Sequence, residues 1–308
     1  KSWQEKGLTD DAFIKDYRDR NLAALKADGQ KPNNGPTYWE KKAGLSKATR
    51  AVWTPDSKPQ RSQVAQPQQP RSASAPEPIS RTPKTFQEFI SNGRELSKSV
   101  AEAGSRRKRE RAMEKLRESL LKKGDIKSAK RFVESLDLSD LPKSERDGFR
   151  EDLEEFAQLS GGGPRTLRYV MRDRDRAYAN RAGTLNVGRK RRYAIARKRV
   201  VFHEAGHHIE FSDPTVYAAA QAWVESRRAG PNKSLRELTG NSSYGENEIA
   251  VPDHFVTPYV GRFYGAEAGA TEVVSVAMEK FRDAEDMLEL YEADREHFEF
   301  ALGILASR

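Results

Sequence analysis

Residues 201–211 read VFHEAGHHIEF, and within them His203, Glu204 and His207 form the pattern His-Glu-x-x-His. On an α-helix, residues four positions apart lie on one face, so both imidazoles can bind one metal ion. Glu204, one position further along, would lie beside that ion and could accept a proton from water. The pattern predicts a zinc site with a catalytic base. The alternative is a chance string on an ordinary helix.

The residues around the motif favour the zinc site. Val200, Val201 and Phe202 precede it, and Ile209 and Phe211 follow, so we expect the helix to be buried. Buried histidines need polar partners, and a metal ion is one such partner. Zinc held by three protein ligands keeps a fourth position open, where it can activate water and polarise a carbonyl group.

A third ligand must be His, Asp or Glu, because the chain contains no cysteine. All five histidines lie at or after position 203. His208 points away from the motif face, which predicts either a partner of a ligand or a surface residue. His254 and His297 are possible ligands without a supporting pattern. Glu272, in the segment GATEVVSVAME, is the better candidate for the third ligand.

Glu272 has two interpretations. Thr271 is a plausible N-cap, and the apolar residues after Glu272 recur at helical spacing, so its carboxylate would open a packed helix. It could complete a His, His, Glu zinc site, or it could be an acidic first-turn residue favoured by the helix dipole. Glu279, one heptad later, is predicted to orient a ligating histidine.

Short elements with turn signals precede the motif, after the break at 160–164. The segments TLRYVMRD, RAYAN and GTLNVG predict two or three strands, and we expect GTLNVG to be an edge strand that pairs with an extended substrate. The motif helix should end near Pro214, followed by a helix over 215–228, a polar region over 230–258 and an acidic helical segment from 269 onward.

The chain divides by composition into four regions. Residues 1–53 are predicted to be a docking arm with a short helix from about Thr9 to Ala27, and residues 54–84, with seven prolines, a Pro/Ser/Gln-rich linker. Residues 85–160 form a helical region, and residues 161–308 form the domain that carries the motif. The fold class is therefore α+β, mainly helical with a small, mostly antiparallel sheet, preceded by a helical region and an extended N-terminal arm.

The charge of the chain is positive, with 55 Lys or Arg against 46 Asp or Glu and a formal net charge of +9. Residues 165–200 carry thirteen basic and two acidic residues, which permits nucleic-acid binding without a stacking motif to support it. Residues 105–131 carry twelve basic and four acidic residues, and their spacing favours a solvated helix with internal ion pairs over a nucleic-acid surface. No membrane segment or signal peptide is apparent. Residue 1 is Lys rather than Met, which is also compatible with a processed chain.

HEAGHHIEF followed by PYVGRFYGAEAGATEVVSVAME resembles the zincin-type metallopeptidase domain of tailed-phage minor head or head-morphogenesis proteins and of some bacterial toxins. The resemblance covers roughly residues 165–285 and extends, more distantly, to the catalytic domain of anthrax lethal factor. It implies a zinc cofactor bound by His203, His207 and Glu272, with Glu204 as the general base. Tyr264 then corresponds to the tyrosine that stabilises the oxyanion, with Tyr259 as the second choice.

Three functions follow as expectations. The first is a zinc-dependent peptidase acting on a protein or peptide substrate, as a component of a tailed-phage particle. The second is a structural or packaging protein of the virion, in which the arm 1–53 binds capsid or portal proteins, the basic patches bind DNA and the site is not used in catalysis. The third is a toxin or effector protease. The expected location is the virion or the cytoplasm of the bacterial host.

Overall fold

The computed structural model describes residues 82–173, 176–189, 196–265 and 268–308. The predicted arm 1–53 and nearly all of the linker 54–84 lie outside these residues. The described part contains eleven α-helices: α1 Phe86–Leu96, α2 Lys98–Ala101, α3 Arg106–Lys123, α4 Ile126–Glu134, α5 Arg146–Leu159, α6 Arg197–Ser212, α7 Pro214–Ser226, α8 Leu235–Thr239, α9 Glu272–Lys280, α10 Ala284–Ala293 and α11 Arg295–Ala306. Two 3-10 turns, Lys143–Glu145 and Pro258–Gly261, add to them.

Five short strands complete the described structure: β1 Tyr169–Met171, β2 Tyr178–Ala179, β3 Thr184–Asn186, β4 Lys233–Ser234 and β5 Ile249–Ala250. The first three form a sheet of order β1-β3-β2, in which β3 is parallel to β1 and antiparallel to β2. Strands β4 and β5 form an antiparallel pair. The predicted α+β class, mainly helical with a small and mostly antiparallel sheet, is confirmed.

The position of GTLNVG in the sheet differs from the prediction. Strand β3, from this segment, is the middle strand and has hydrogen-bonded neighbours on both sides, so it is not an edge strand. Its backbone groups are already paired and cannot receive a substrate strand. The expectation of an edge strand at 183–188 is therefore wrong.

Local sequence signals determine where the helices around the site begin and end. Helix α6 stops at Ser212 because Pro214 cannot continue it, and Asp213 then caps α7 through the backbone N–H groups of Thr215 and Val216. Thr271 caps α9 in the same way, accepting from the N–H of Val273. These boundaries agree with the predicted end of the motif helix and the predicted cap.

Helices from both sides of residue 160 contribute to one hydrophobic core. Phe156 of α5 meets Phe202 of α6 edge-to-face, with ring centroids 5.5 Å apart, and Phe89 of α1 meets Phe300 of α11 at 5.8 Å. The motif helix is thus packed against the preceding helical region. The division into residues 85–160 and 161–308 remains a prediction from sequence.

Some basic side chains of helix α3 pair with acidic side chains. Arg106 pairs with Glu110 at 3.4 Å within the helix, as its spacing predicts. Arg109 pairs with Glu292 of α10 at 3.0 Å, so the acidic C-terminal helices also contact this basic helix. Part of the positive charge of α3 is therefore paired within the fold. None of the helices in the described residues is both long and apolar enough to cross a membrane.

Helices α1 and α11 cross at very short distance because each contributes a glycine. A side chain at Gly303 would overlap the carbonyl oxygen of Phe89, and one at Gly93 would overlap that of Glu299. We expect Gly303→Ala to lower the free energy of unfolding by about 1–3 kcal/mol, because two backbones would have to separate. Urea unfolding followed by circular dichroism measures this. Gly104→Ala is the matched control, since no other residue lies within 4 Å of the added carbon, and an equal loss in both variants would contradict the explanation.

Candidate metal centre

Helix α6 presents the two motif histidines to one side of the core. The rings of His203 and His207 are one helical turn apart, with centroids separated by 5.3 Å and planes at 86°. The buried apolar residues Val201, Phe202 and Ala205 hold the helix in place. His207 is buried, and the His203 side chain is 14% exposed. The site therefore lies at the edge of the core, where one side remains accessible.

Helix α9 brings Glu272 to the histidines because it packs closely on α6. The contact depends on Gly206, since a Cβ atom there would lie 2.8 Å from the Cα atom of Ser275. Glu272 is fully buried in the first turn of α9. Gly206, inside the His-Glu-x-x-His string, is thus required for the carboxylate of Glu272, the third ligand, to reach the two histidines.

Replacing Gly206 by valine is expected to separate α6 from α9 and to lower both metal affinity and stability. The added side chain meets the backbone of Ser275, which cannot rotate away, so a loss of about 1–3 kcal/mol in the free energy of unfolding is expected. Thermal unfolding and zinc titration measure the two effects. Retention of wild-type zinc affinity by Gly206→Val would contradict the role given to this contact.

Three ligand atoms converge between the two helices. The distance from Oε2 of Glu272 to Nε2 of His203 is 3.2 Å, and that to Nε2 of His207 is 3.6 Å. One ligand atom from each of the three residues lies within 4.8 Å of the others. Ligand atoms 2.0–2.2 Å from a tetrahedral zinc ion are roughly 3.4 Å apart. The two nitrogens and one carboxylate oxygen therefore fit a zinc ion in both spacing and donor chemistry.

Neighbouring side chains orient these ligands. Nδ1–H of His203 donates to Oε2 of Glu279 at 3.1 Å, and Arg199 holds the other oxygen of Glu279 at 2.6 Å. This arrangement directs Nε2 of His203 toward the metal position and increases its basicity. Ser275 donates from Oγ to Oε2 of Glu272 at 2.8 Å. The structure thus brings Glu279 to the position predicted from its heptad spacing.

The protonation states of the ligands follow from burial and from their mutual contacts. Burial lowers the pKa of His207 to about 4, so its imidazole is neutral near pH 7 and free to bind a metal ion. Burial opposes the charged form of Glu272, but His207 and His203 outweigh it and hold the pKa of this carboxyl well below its usual range. The pKa of His203 is raised, against the effect of burial, by its contacts with Glu272 and Glu279.

Glu204 lies beside this group and is buried. Its side chain is only 6% exposed, and none of the described residues donates a hydrogen bond to its carboxylate. Burial raises the pKa of Glu204 to about 7, partly offset by the charge of His203. A carboxylate with a pKa near the working pH can both accept and release a proton. These properties suit a general base.

Tyr264 and Tyr259 both lie at the site. The hydroxyl of Tyr264 donates a hydrogen bond to Oε1 of Glu272, while its side chain remains largely exposed. The hydroxyl of Tyr259 is 3.3 Å from that of Tyr264, and its ring centroid is 6.3 Å from that of His203. Arg262 donates to the Tyr259 hydroxyl at 3.0 Å. The two candidate tyrosines are therefore neighbours and share one hydrogen-bond network.

The other histidines are not ligands. His208 is fully buried, with Nε2 3.2 Å from the carbonyl oxygen of Thr184 and Nδ1 3.1 Å from Oγ1 of Thr166, which excludes the surface position, one of the two predicted for it. It attaches α6 to strand β3. His254 is exposed and lies outside the cluster. His297 is buried and binds the carbonyl oxygen of Val273 at 2.7 Å.

One supporting residue was not anticipated from the sequence. Glu210 is buried on α6 and accepts from the backbone N–H of Thr271 at 3.0 Å and from its hydroxyl at 2.8 Å. Burial raises the pKa of Glu210 well above its usual value. Glu210 lies seven residues after His203 and therefore on a similar side of α6, and this spacing could have identified it from the sequence. The contact joins the end of α6 to the start of α9, next to Glu272.

No protein-family model, curated protein or solved structure matches this chain.

Proposed function

We propose that this protein is a zinc-dependent peptidase. The observation that carries the proposal is the convergence of His203, His207 and Glu272, with the buried carboxylate of Glu204 one residue from a ligand. Two imidazoles and one carboxylate are a ligand set of hydrolytic zinc enzymes, in which the fourth position stays open. A buried, unpaired carboxylate beside such a set is the group that proton transfer in hydrolysis requires.

A zinc ion at this position would polarise the scissile carbonyl group and lower the pKa of the attacking water. Glu204 would accept a proton from the attacking water and deliver it to the nitrogen of the leaving amine, so that one water molecule is consumed for each peptide bond hydrolysed. Glu279 holds His203 in the orientation for binding. Tyr264 can release Glu272 and donate its hydroxyl hydrogen to the developing oxyanion, and Tyr259 is placed to assist it.

We further propose that the peptidase is a component of a tailed-phage particle and is found in the virion or in the host cytoplasm. This part rests on the resemblance of the motif segments to the domain of phage head-morphogenesis proteins. The predicted arm 1–53 would bind capsid or portal proteins. Any binding of DNA would involve the basic segment 165–200.

The proposed activity is tested with the purified full chain. Metal analysis should find about one zinc ion per chain, and a randomised peptide library analysed by mass spectrometry should show defined cleavage sites. Chelation should abolish cleavage, and added zinc should restore it. If the protein binds zinc but cleaves no member of the library, the peptidase proposal fails and a structural role for the domain is the better explanation. If it binds no zinc, the proposed centre itself fails.

A further inference from the structure

Two arginines beside the metal centre share a single carboxylate oxygen. Oε1 of Glu248 is 2.6 Å from Nη2 of Arg262 and 3.3 Å from Nη1 of Arg176. The other oxygen of Glu248 accepts from the backbone N–H of Gly245 at 2.8 Å. The local group therefore holds two guanidinium charges and one carboxylate charge. One positive charge is in excess.

The excess charge belongs to Arg176. The Arg262 side chain is 14% exposed and also donates to the hydroxyl of Tyr259, so its position is well determined. The Arg176 side chain is 57% exposed and donates to Glu248, and its guanidinium also contacts the hydroxyl of Tyr259. A guanidinium has five N–H donors in a planar fork that matches a carboxylate. Arg176 therefore keeps donors available for a further anion.

Arg176 is close to the atoms that would react. Its partner Glu248 also forms an ion pair with Arg262. Arg262 in turn donates a hydrogen bond to the hydroxyl of Tyr259. The ring centroid of Tyr259 is 6.3 Å from that of His203. An anion held by Arg176 would therefore lie close to the proposed metal centre.

A second arginine borders the segment that leads to Glu272. The guanidinium of Arg181 lies against the backbone of Gly269, where any side chain would overlap it. Arg181 is exposed and has no ion pair among the described residues. Arg181 therefore adds a second exposed positive charge beside the segment that precedes Glu272.

We propose that Arg176 binds a carboxylate of the substrate, so that the preferred substrate is a polypeptide with an acidic residue close to the scissile bond. The inference rests on the proposed peptidase function and names its substrate class. A nucleic acid is the less suitable ligand, because a phosphate backbone requires several free cations in a row. Here the neighbouring Arg262 is already paired with Glu248.

The experiment compares cleavage of two peptide series by the zinc-loaded full chain. The series are identical except for Glu or Gln at the positions flanking a cleavage site found in the library. The wild type should cleave the Glu series with a kcat/KM about tenfold higher, the size expected for one partly exposed charged hydrogen bond. Arg176→Gln should abolish this preference, so that the two series are cleaved with equal kcat/KM. Arg150→Gln, which replaces an exposed arginine on α5 that pairs with Asp147, is the matched control.

The outcomes are separable from those of the proposed function. Cleavage without preference for Glu, or an unchanged preference in Arg176→Gln, overturns the inference and leaves the peptidase intact. If no peptide is cleaved, the peptidase proposal fails, and the role of Arg176 is then tested by measuring the binding of a peptide. A fluorescein-labelled Glu-rich peptide should bind the wild type about tenfold more tightly than Arg176→Gln. Equal binding, or tighter binding of a DNA oligonucleotide in the same assay, would overturn it.

Discussion

Replacing Glu204 by glutamine is expected to reduce peptide hydrolysis by about 10² to 10⁴-fold while the protein keeps its zinc. Glutamine has nearly the same shape but cannot accept the proton of the attacking water. The ligands His203, His207 and Glu272 remain in place, so metal content should be unchanged. Hydrolysis of a cleaved library peptide and zinc content are measured on the same preparation.

The stability of Glu204→Gln is the control for this experiment. Glu204 is buried, and the nearby charge of Glu272 opposes its ionisation, so an amide there removes an unfavourable charge. The melting temperature should therefore be equal to that of the wild type or higher. A variant that folds, binds zinc and still hydrolyses the peptide at the wild-type rate would exclude Glu204 as the base.

Replacing Glu272 by alanine is expected to abolish zinc binding at micromolar zinc. In the proposed site this residue supplies one of the three ligand atoms, and its loss also leaves His203 and the buried His207 without the acceptor they share. The affinity should fall by more than about a hundredfold, beyond the 10 to 100-fold expected for Glu279→Gln, which removes only the orienting partner of His203. Competition with a chromophoric chelator measures all three affinities.

The relative losses of zinc affinity distinguish a metal ligand from a residue that only orients a ligand. His254→Ala serves as a control, because His254 is exposed and lies outside the cluster. Its zinc affinity should equal that of the wild type. If Glu272→Ala retained zinc as well as the wild type did, the third ligand would have to be another residue, and the interpretation of Glu272 as an acidic first-turn residue would be correct.

Local spacing predicted the ligand-bearing elements because each depends on residues close together in the chain. The interval of four between His203 and His207 requires only a helix, and Thr271 identifies the start of α9 by its capping pattern. That Glu272 lies opposite the histidines is a tertiary fact. It depends on Gly206 meeting Ser275, a pair 69 positions apart that no local pattern indicates.

The sheet was harder to predict because strand order is determined by contacts distant in sequence. The segments of β1, β2 and β3 were recognised, but nothing in GTLNVG shows that strands pair on both of its sides. Strands β4 and β5 have two residues each and lie in a polar region, so no alternation of apolar and polar residues can reveal them. His208 was misplaced for the same reason, since its partners Thr166 and Thr184 come from the sheet side.

The bond between Glu210 and Thr271 has a consequence for how the ion would enter. Helices α6 and α9, which carry the ligands, are joined at three points. These are the Glu210–Thr271 bond, the contact at Gly206, and the hydrogen bond between His203 and Glu279. The donor atoms are thus preorganised by the polypeptide, so the entropy of assembling them is lost during folding and not during metal uptake. Such a protein would keep its helices without metal, in contrast to small zinc domains that fold only around their ion. If the site binds zinc as proposed, uptake and release would be reversible events within an already folded chain.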